Sequence, residues 1–233
     1  MPRFNVLLLC LCLLVPCCIA DENTTQDSKK IPPLVWNNGE KPIGLGITLN
    51  AYVFYDNTKY ERQAPEKNVT LYFRNLFNQT QRHFNNRSVM ISIAVHNISW
   101  NTSLEVKKGG VLNGTATLKN LQNYSEVFHL SNDSIVYLFT NKTPMDDSYM
   151  GAAIPGVFSS MSTFGTFCTG NRSAAIVVLD PERRSYWGTV KATAEIFGSK
   201  TFHQFKQEDF MKMNETFSRC HVTETQSAES EED

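Results

Sequence analysis

The chain has 233 residues, a net charge of −1 at pH 7 and 41% hydrophobic residues, which suits one domain with a sizeable core. Its 22 Lys and Arg are scattered and matched by 23 Asp and Glu, which excludes the concentrated basic footprint of a nucleic-acid binder. Beyond the first residues no segment approaches the ~20 apolar residues of a membrane span, so no membrane partner is expected.

Residues 1–20 read as a secretory signal. Arg3 supplies the positive start, Val6 to Val15 is almost continuously apolar, and Cys18-Ile19-Ala20 places small residues where a signal peptidase reads. Cleavage after Ala20 predicts a secreted, extracellular protein, and it removes Cys10, Cys12, Cys17 and Cys18. Only Cys168 and Cys220 then remain, and in an oxidising compartment two cysteines suggest one disulfide.

Residues 21–45 are polar and carry Pro32, Pro33 and Pro42, which predicts an irregular lead-in. From Ile47, the residues Leu49, Ala51, Val53 and Tyr55 alternate with Thr48, Asn50 and Tyr52, the period of a strand with one face on the core. Val69, Tyr72, Phe73, Leu76, Phe77 and Phe84 recur at helical spacing and predict an amphipathic helix of about four turns with Asn78 on its outer face. Val89, Ile91, Ile93 and Val95 predict a second strand, with Asn97 and Asn101 beyond its end. Lys107 to Ser131 is broken by Gly109-Gly110 and Gly114, and Leu118, Leu121 and Tyr124 hint at a short helix.

Ser134 to Thr140 is apolar on both faces, as in an interior strand of a covered sheet. After the small-residue stretch Gly151 to Gly170, Ala174 to Leu179 forms another apolar strand stopped by Asp180-Pro181. Trp187, Val190, Ala194 and Phe197 share a helical face that Gly198 ends. Phe210, Met213 and Phe217 predict a last helix, and the acidic stretch 222–233 reads as a solubilising, disordered tail. The sum is an α/β domain over residues 46–221, with a mostly parallel sheet and a helical C-terminal part.

Twelve N-x-S/T acceptors punctuate the chain: Asn23, Asn68, Asn78, Asn86, Asn97, Asn101, Asn113, Asn123, Asn132, Asn141, Asn171 and Asn214. The Ser and Thr content gives roughly 3 by chance, so the excess points to a heavily glycosylated surface.

The segments SIVYLFTNKT, MGAAIPGVFSS, GTFCTGNRSAAIVVLD and WGTVKATAEIFG resemble the catalytic domain of reprolysin-type metzincin metalloproteases, especially tick salivary ones. The resemblance implies a metzincin-like fold whose active-site floor is built by the strands flanking Cys168 and the helix that follows. It also implies pairing of Cys168 with Cys220. In that family the helix carries HExxH, with two histidines for zinc and a Glu as general base.

Here Ala194-Glu195-Ile196-Phe197-Gly198 stands in its place when aligned on the Glu. Ala194 and Gly198 then occupy the ligand positions, Glu195 that of the base, and His203 falls one residue short of the third ligand. Neither His83, His96, His129 nor His221 forms an H-x3-H pair. No zinc and no other cofactor is expected.

Other chemistry is not signalled, since no G-x-S-x-G elbow and no phosphate-binding loop occurs, and Gly109-Gly110 reads as a turn. The combination is similar to the secreted twenty-eight-kilodalton metastriate tick group, which implies a pseudoenzyme that binds host immune or haemostatic proteins. The alternatives are a divergent active metalloendopeptidase and a lipocalin-like scavenger of small ligands. No acceptor lies between Asn171 and Asn214, an interval that contains Arg183, Arg184 and Tyr186, the candidate partner contacts.

Overall fold

The computed structural model describes residues 41–64, 66–145 and 159–220. The signal segment, most of the lead-in, the acidic tail, Asn23 and His221 lie outside the described residues.

The alternation read from Ile47 builds β1 (Thr48–Tyr55), with Leu49, Ala51, Val53 and Tyr55 all buried. A short α1 (Lys59–Gln63), unmarked by any sequence period, follows it. α2 (Val69–Asn85) begins where the Asn68 side chain accepts a bond from the Leu71 N–H at 3.0 Å, satisfying one orphan donor of the first turn. Its buried stripe lies on the sheet: Phe73 meets Phe139 at 4.7 Å and Phe77 meets Tyr137 edge-on at 5.0 Å between ring centres.

The second strand, β2 (Ser92–Trp100), starts later than its hydrophobic pattern predicts and runs further. Ahead of it the chain pairs with the lead-in rather than with β1: the Ile43 N–H donates to the Ser88 carbonyl at 2.9 Å and the Met90 N–H to the Ile43 carbonyl at 2.7 Å, an isolated bridge. On the outer edge Asn85 Oδ1 takes the Ile91 N–H at 3.1 Å and Gln81 Oε1 that of Ile93 at 2.7 Å. Val89 and Ile91 are still buried. Asn97 therefore sits inside the strand rather than beyond it, at a bulge where Ala51 pairs with Val95 but Val53 pairs with Ile98.

Gly109 (φ +60°) and Gly110 (φ +82°) make the turn between β3 (Lys107–Lys108) and β4 (Val111–Leu112), as left-handed geometry favours. Gly114 breaks nothing; it is the first residue of α3 (Gly114–Val127), capped by Asn113, whose Oδ1 accepts from the Ala116 N–H at 2.9 Å.

β5 (Ser134–Thr140) is buried throughout. β6 (Ser160–Ser162) lay hidden in the small-residue stretch, too short to show a period. β7 (Ser173–Val178), α4 (Trp187–Ile196) and α5 (Gln207–Phe217) agree with the sequence reading.

The main sheet runs β2-β1-β5-β7-β6, parallel except for the antiparallel edge strand β6. Such an open, mainly parallel sheet is not the antiparallel barrel of a lipocalin. α2, α4 and α5 bury their apolar sides in the core on one face, while α3 covers the β5–β7 part of the other. Cys168 and Cys220 are disulfide-bonded, with Cα atoms 5.0 Å apart. The link ties the end of α5 to the loop before β7, beside Phe167, Phe197 and Phe217. Among the described residues no helix is long and apolar enough to cross a membrane.

Candidate functional site

α4 packs against both edge-side strands because it begins small. A Cβ on Gly188 would lie 2.7 Å from the Ser159 carbonyl oxygen and 3.1 Å from Val177 Cγ1, so only glycine permits this approach. Val190, Ala192, Thr193, Ala194 and Ile196 are buried. The Thr193 hydroxyl meets the Tyr137 hydroxyl at 2.9 Å across the helix–sheet seam. The helix stops at Gly198, whose φ of +93° a side chain would resist.

The face that remains partly open carries Trp187, Lys191 and Glu195, each one turn from the next. Glu195 accepts a 2.6 Å bond from the Ser162 hydroxyl on β6, and its other oxygen lies 3.8 Å from Lys191 Nζ. Trp187 stacks on Tyr186 at 5.0 Å and touches the His203 ring at 4.5 Å, and His203 in turn lies 4.2 Å from Phe202. The result is a continuous polar and aromatic stripe from His203 to Ser162. Its carboxylate is bonded by the hydroxyl and lies within ion-pair range of the ammonium.

Two of the positions expected to replace metal ligands do not face this stripe. Ala194 is fully buried in the core, and Gly198 lies past the helix end. His203 is exposed. Thr201, which no sequence signal singled out, donates to Asp209 Oδ2 at 2.6 Å. Burial raises the Asp209 carboxyl, but the Thr201 hydroxyl and the Lys206 and Lys200 N–H groups outweigh it and hold it below the usual carboxylate range.

Ahead of α4, Arg183 and Arg184 are exposed, and Tyr186 is half-buried. Tyr72 donates to the Arg183 carbonyl at 2.9 Å, which fixes the backbone while leaving the guanidinium outward. Arg184 reaches Glu66 only at 4.0 Å. A hollow of about 340 Å³ opens here, lined by Asn141, Asp180, Arg183, Ser185 and Trp187 among others. It lies at the carboxyl ends of β5 and β7, where open α/β sheets bind ligands.

A buried histidine braces the stripe from below. His83 of α2 is 4% exposed, bonds the Phe202 carbonyl at 2.6 Å, and lies edge-on to Trp187 at 5.2 Å. Burial, helped by the nearby Arg87 charge, pushes its pKa down to about 4.

A second polar cluster was invisible to spacing arguments, because its members are far apart in sequence. Lys142 Nζ sits 2.9 Å from Asp56 Oδ2 and 2.7 Å from Glu105 Oε1, with both carboxylates buried at the ends of β1 and β5. Burial raises the Asp56 carboxyl. Glu105 is also pushed up by burial, but its bonds to Lys142, Asp56 and Lys107 prevail and lower it.

The glycan acceptors divide by exposure. Asn68, Asn78, Asn86, Asn97, Asn123, Asn132, Asn141, Asn171 and Asn214 are exposed, and Asn101 is half-buried. Asn113 is only 8% exposed, and its Oδ1 caps α3.

No protein-family model matches the chain, and no curated protein matches it. Among solved structures it is similar to metalloproteinase-II from Bacteroides fragilis, with a TM-score of 0.45, 14% identity, 76% of this chain and 55% of that one covered. It also matches a chaperone–substrate complex, with a TM-score of 0.43, 10% identity, and 66% and 23% covered. The chain thus spans about half the length of the first and a quarter of the second.

Proposed function

We propose that this chain is a secreted, N-glycosylated pseudo-metalloprotease of metzincin type, of the tick salivary kind its sequence resembles, acting on host extracellular proteins by binding rather than cutting. The observation that supports this most is the register of α4. The metzincin motif H-E-x-x-H-x-x-G-x-x-H puts two histidines one turn apart on one helical face and a glycine three residues after the second. Gly198 is the glycine that ends α4. Counting back from it, Lys191 and Glu195 take the histidine positions, Ala192 that of the general base, and Thr201 that of the third ligand.

This register replaces the one aligned on Glu195. Residues 191 and 195 share the half-open face beside β6, whereas Ala194 points into the core.

Zinc does not fit this set of groups. An ammonium has no lone pair to give, and one carboxylate with one hydroxyl falls short of three N, S or carboxylate donors. Lys191 and Glu195 satisfy each other instead, and Ala192 offers no base. No hydrolytic step is routed through a metal here.

Binding is then the function left to the same surface. Arg183 lines the hollow at the carboxyl ends of the strands, which the acceptor Asn141 shares, and Arg184 and Tyr186 stand beside it in the sequence interval without acceptors; Arg and aromatic side chains are typical interface anchors. Elemental analysis of the purified protein should find far less than one equivalent of zinc, and chelators should leave its melting midpoint unchanged. Stoichiometric zinc would turn the reading to an active enzyme. With a plasma partner captured on the glycosylated protein, Arg183→Glu with Arg184→Glu should weaken binding more than tenfold; unchanged affinity in folded protein would place the partner elsewhere.

A further inference from the structure

Among the described residues β2 is the outer strand of the sheet, and α3 covers only the neighbouring strands on one face. That leaves a trough between α3 and β2. Its floor is Tyr52 stacked on His96 at 5.2 Å, with His96 Nε2 2.8 Å from Asn50 Oδ1. Its wall is Tyr124 against Phe128 at 4.3 Å, and Phe128 is 59% exposed with Val127 beside it at 70%. An apolar, aromatic trough of this kind on a sheet face is normally covered.

The bulge in β2 supplies a cover. Because Ala51 pairs with Val95 and Val53 with Ile98, both His96 and Asn97 stand opposite Tyr52. Val95 and Ile98 on either side pack against the core on the other face of the sheet, so exposed Asn97, like His96, projects to the face that carries the trough. Asn97-Ile98-Ser99 is a glycan acceptor. A sugar linked to the Asn97 amide therefore starts at the rim of the aromatic wall. The C–H face of a pyranose carries the partial positive charge that the negative face of an aromatic ring attracts.

We propose that the first sugars of an N-glycan on Asn97 lie in this trough against Tyr124 and Phe128, and that this carbohydrate is the missing cover of the sheet at its β2 edge. The proposal rests on the secreted-glycoprotein reading and adds to it a structural role for one particular glycan. It also gives the edge strand a barrier against pairing with another chain, a hazard that long exposed edges carry.

The test uses the full chain secreted from a glycosylating eukaryotic host. Site occupancy is measured by mass spectrometry, and thermal midpoints are compared for wild type, Ser99→Ala, Ser99→Thr, Phe128→Ala and the Ser99→Ala/Phe128→Ala pair. Ser99→Ala removes the acceptor but keeps Asn97, and should lower the midpoint by about 2–4 °C. Ser99→Thr, which keeps the acceptor, should not. In the Phe128→Ala background the Ser99→Ala shift should fall by more than half, because the two act through one contact. An unoccupied Asn97 in a protein glycosylated elsewhere, or equal shifts in both backgrounds, overturns the proposal while leaving the glycoprotein reading intact. A secreted protein whose mass no glycosidase changes would remove both.

Discussion

His83 should make this protein lose stability in mild acid, beginning above the range where carboxylates protonate. Its imidazole is 4% exposed, wedged beneath Trp187, and its pKa is lowered from 6.5 to about 4. Between those two values the unfolded chain binds a proton that the folded one refuses, so stability rises with pH through this window and falls as pH drops. At pH 4.5 the difference amounts to about 2.5 kcal/mol relative to neutral pH. Nothing is lost from this source above pH 7. The assay is urea unfolding from pH 7.5 to 4.5 on wild type and His83→Gln, which keeps a donor for the Phe202 carbonyl but cannot charge. Glu105 and Asp209, whose pKa values are lowered, also lose stabilisation in acid, but they do so in both proteins and cancel in the difference. The variant should be less stable at pH 7.5 through imperfect packing, yet have a flatter profile between pH 6.5 and 4.5. Parallel profiles would refute the reasoning, because they would mean that the folded ring takes up its proton as readily as the unfolded one.

Replacing both Cys168 and Cys220 by alanine removes a link across 52 residues; the chain-entropy cost is about 4 kcal/mol. Calorimetry should therefore show a midpoint about 8–16 °C lower, and alkylation without reductant should label neither cysteine of the wild type. Lys142→Met strips the cation from between buried Asp56 and Glu105. Breaking such a pair costs about 3–5 kcal/mol when fully buried, and about 2–3 kcal/mol here because the Lys142 side chain is 37% exposed. In denaturant titrations that loss should shrink as pH falls and the two carboxylates take up protons; a loss independent of pH would point to packing alone.

The fold was legible wherever one face of an element decides its fate. β1, α2, α4 and α5 each repeat apolar residues at the period of their own backbone, and β5 and β7 are the short unbroken apolar runs of strands covered on both faces. The misreadings have local physical causes. β2 starts late because Val89 and Met90 pair with Ile43 of the lead-in rather than with β1, and a strand pattern cannot reveal which neighbour supplies an acceptor. Gly114 reads as a breaker because propensity penalises glycine inside helices, but at a helix's first position, under an asparagine cap, the penalty is small. β6 has three residues, and α1 has five; neither is long enough to show a period.

On the proposed reading the candidate site lies on the helix the sequence marks, and its register turns on Gly198, read from the sequence as a helix end. Alignment on the identical Glu put residues 194 and 198 in the ligand positions, since identity to a motif says nothing about which way a side chain points. Direction is set by packing: Ala194 is small because it is core, and Lys191 is long because its face is open to Glu195 and Ser162. Lys191 and Glu195 are a cation and an anion 3.8 Å apart on that open face, settled by each other because little else packs against them.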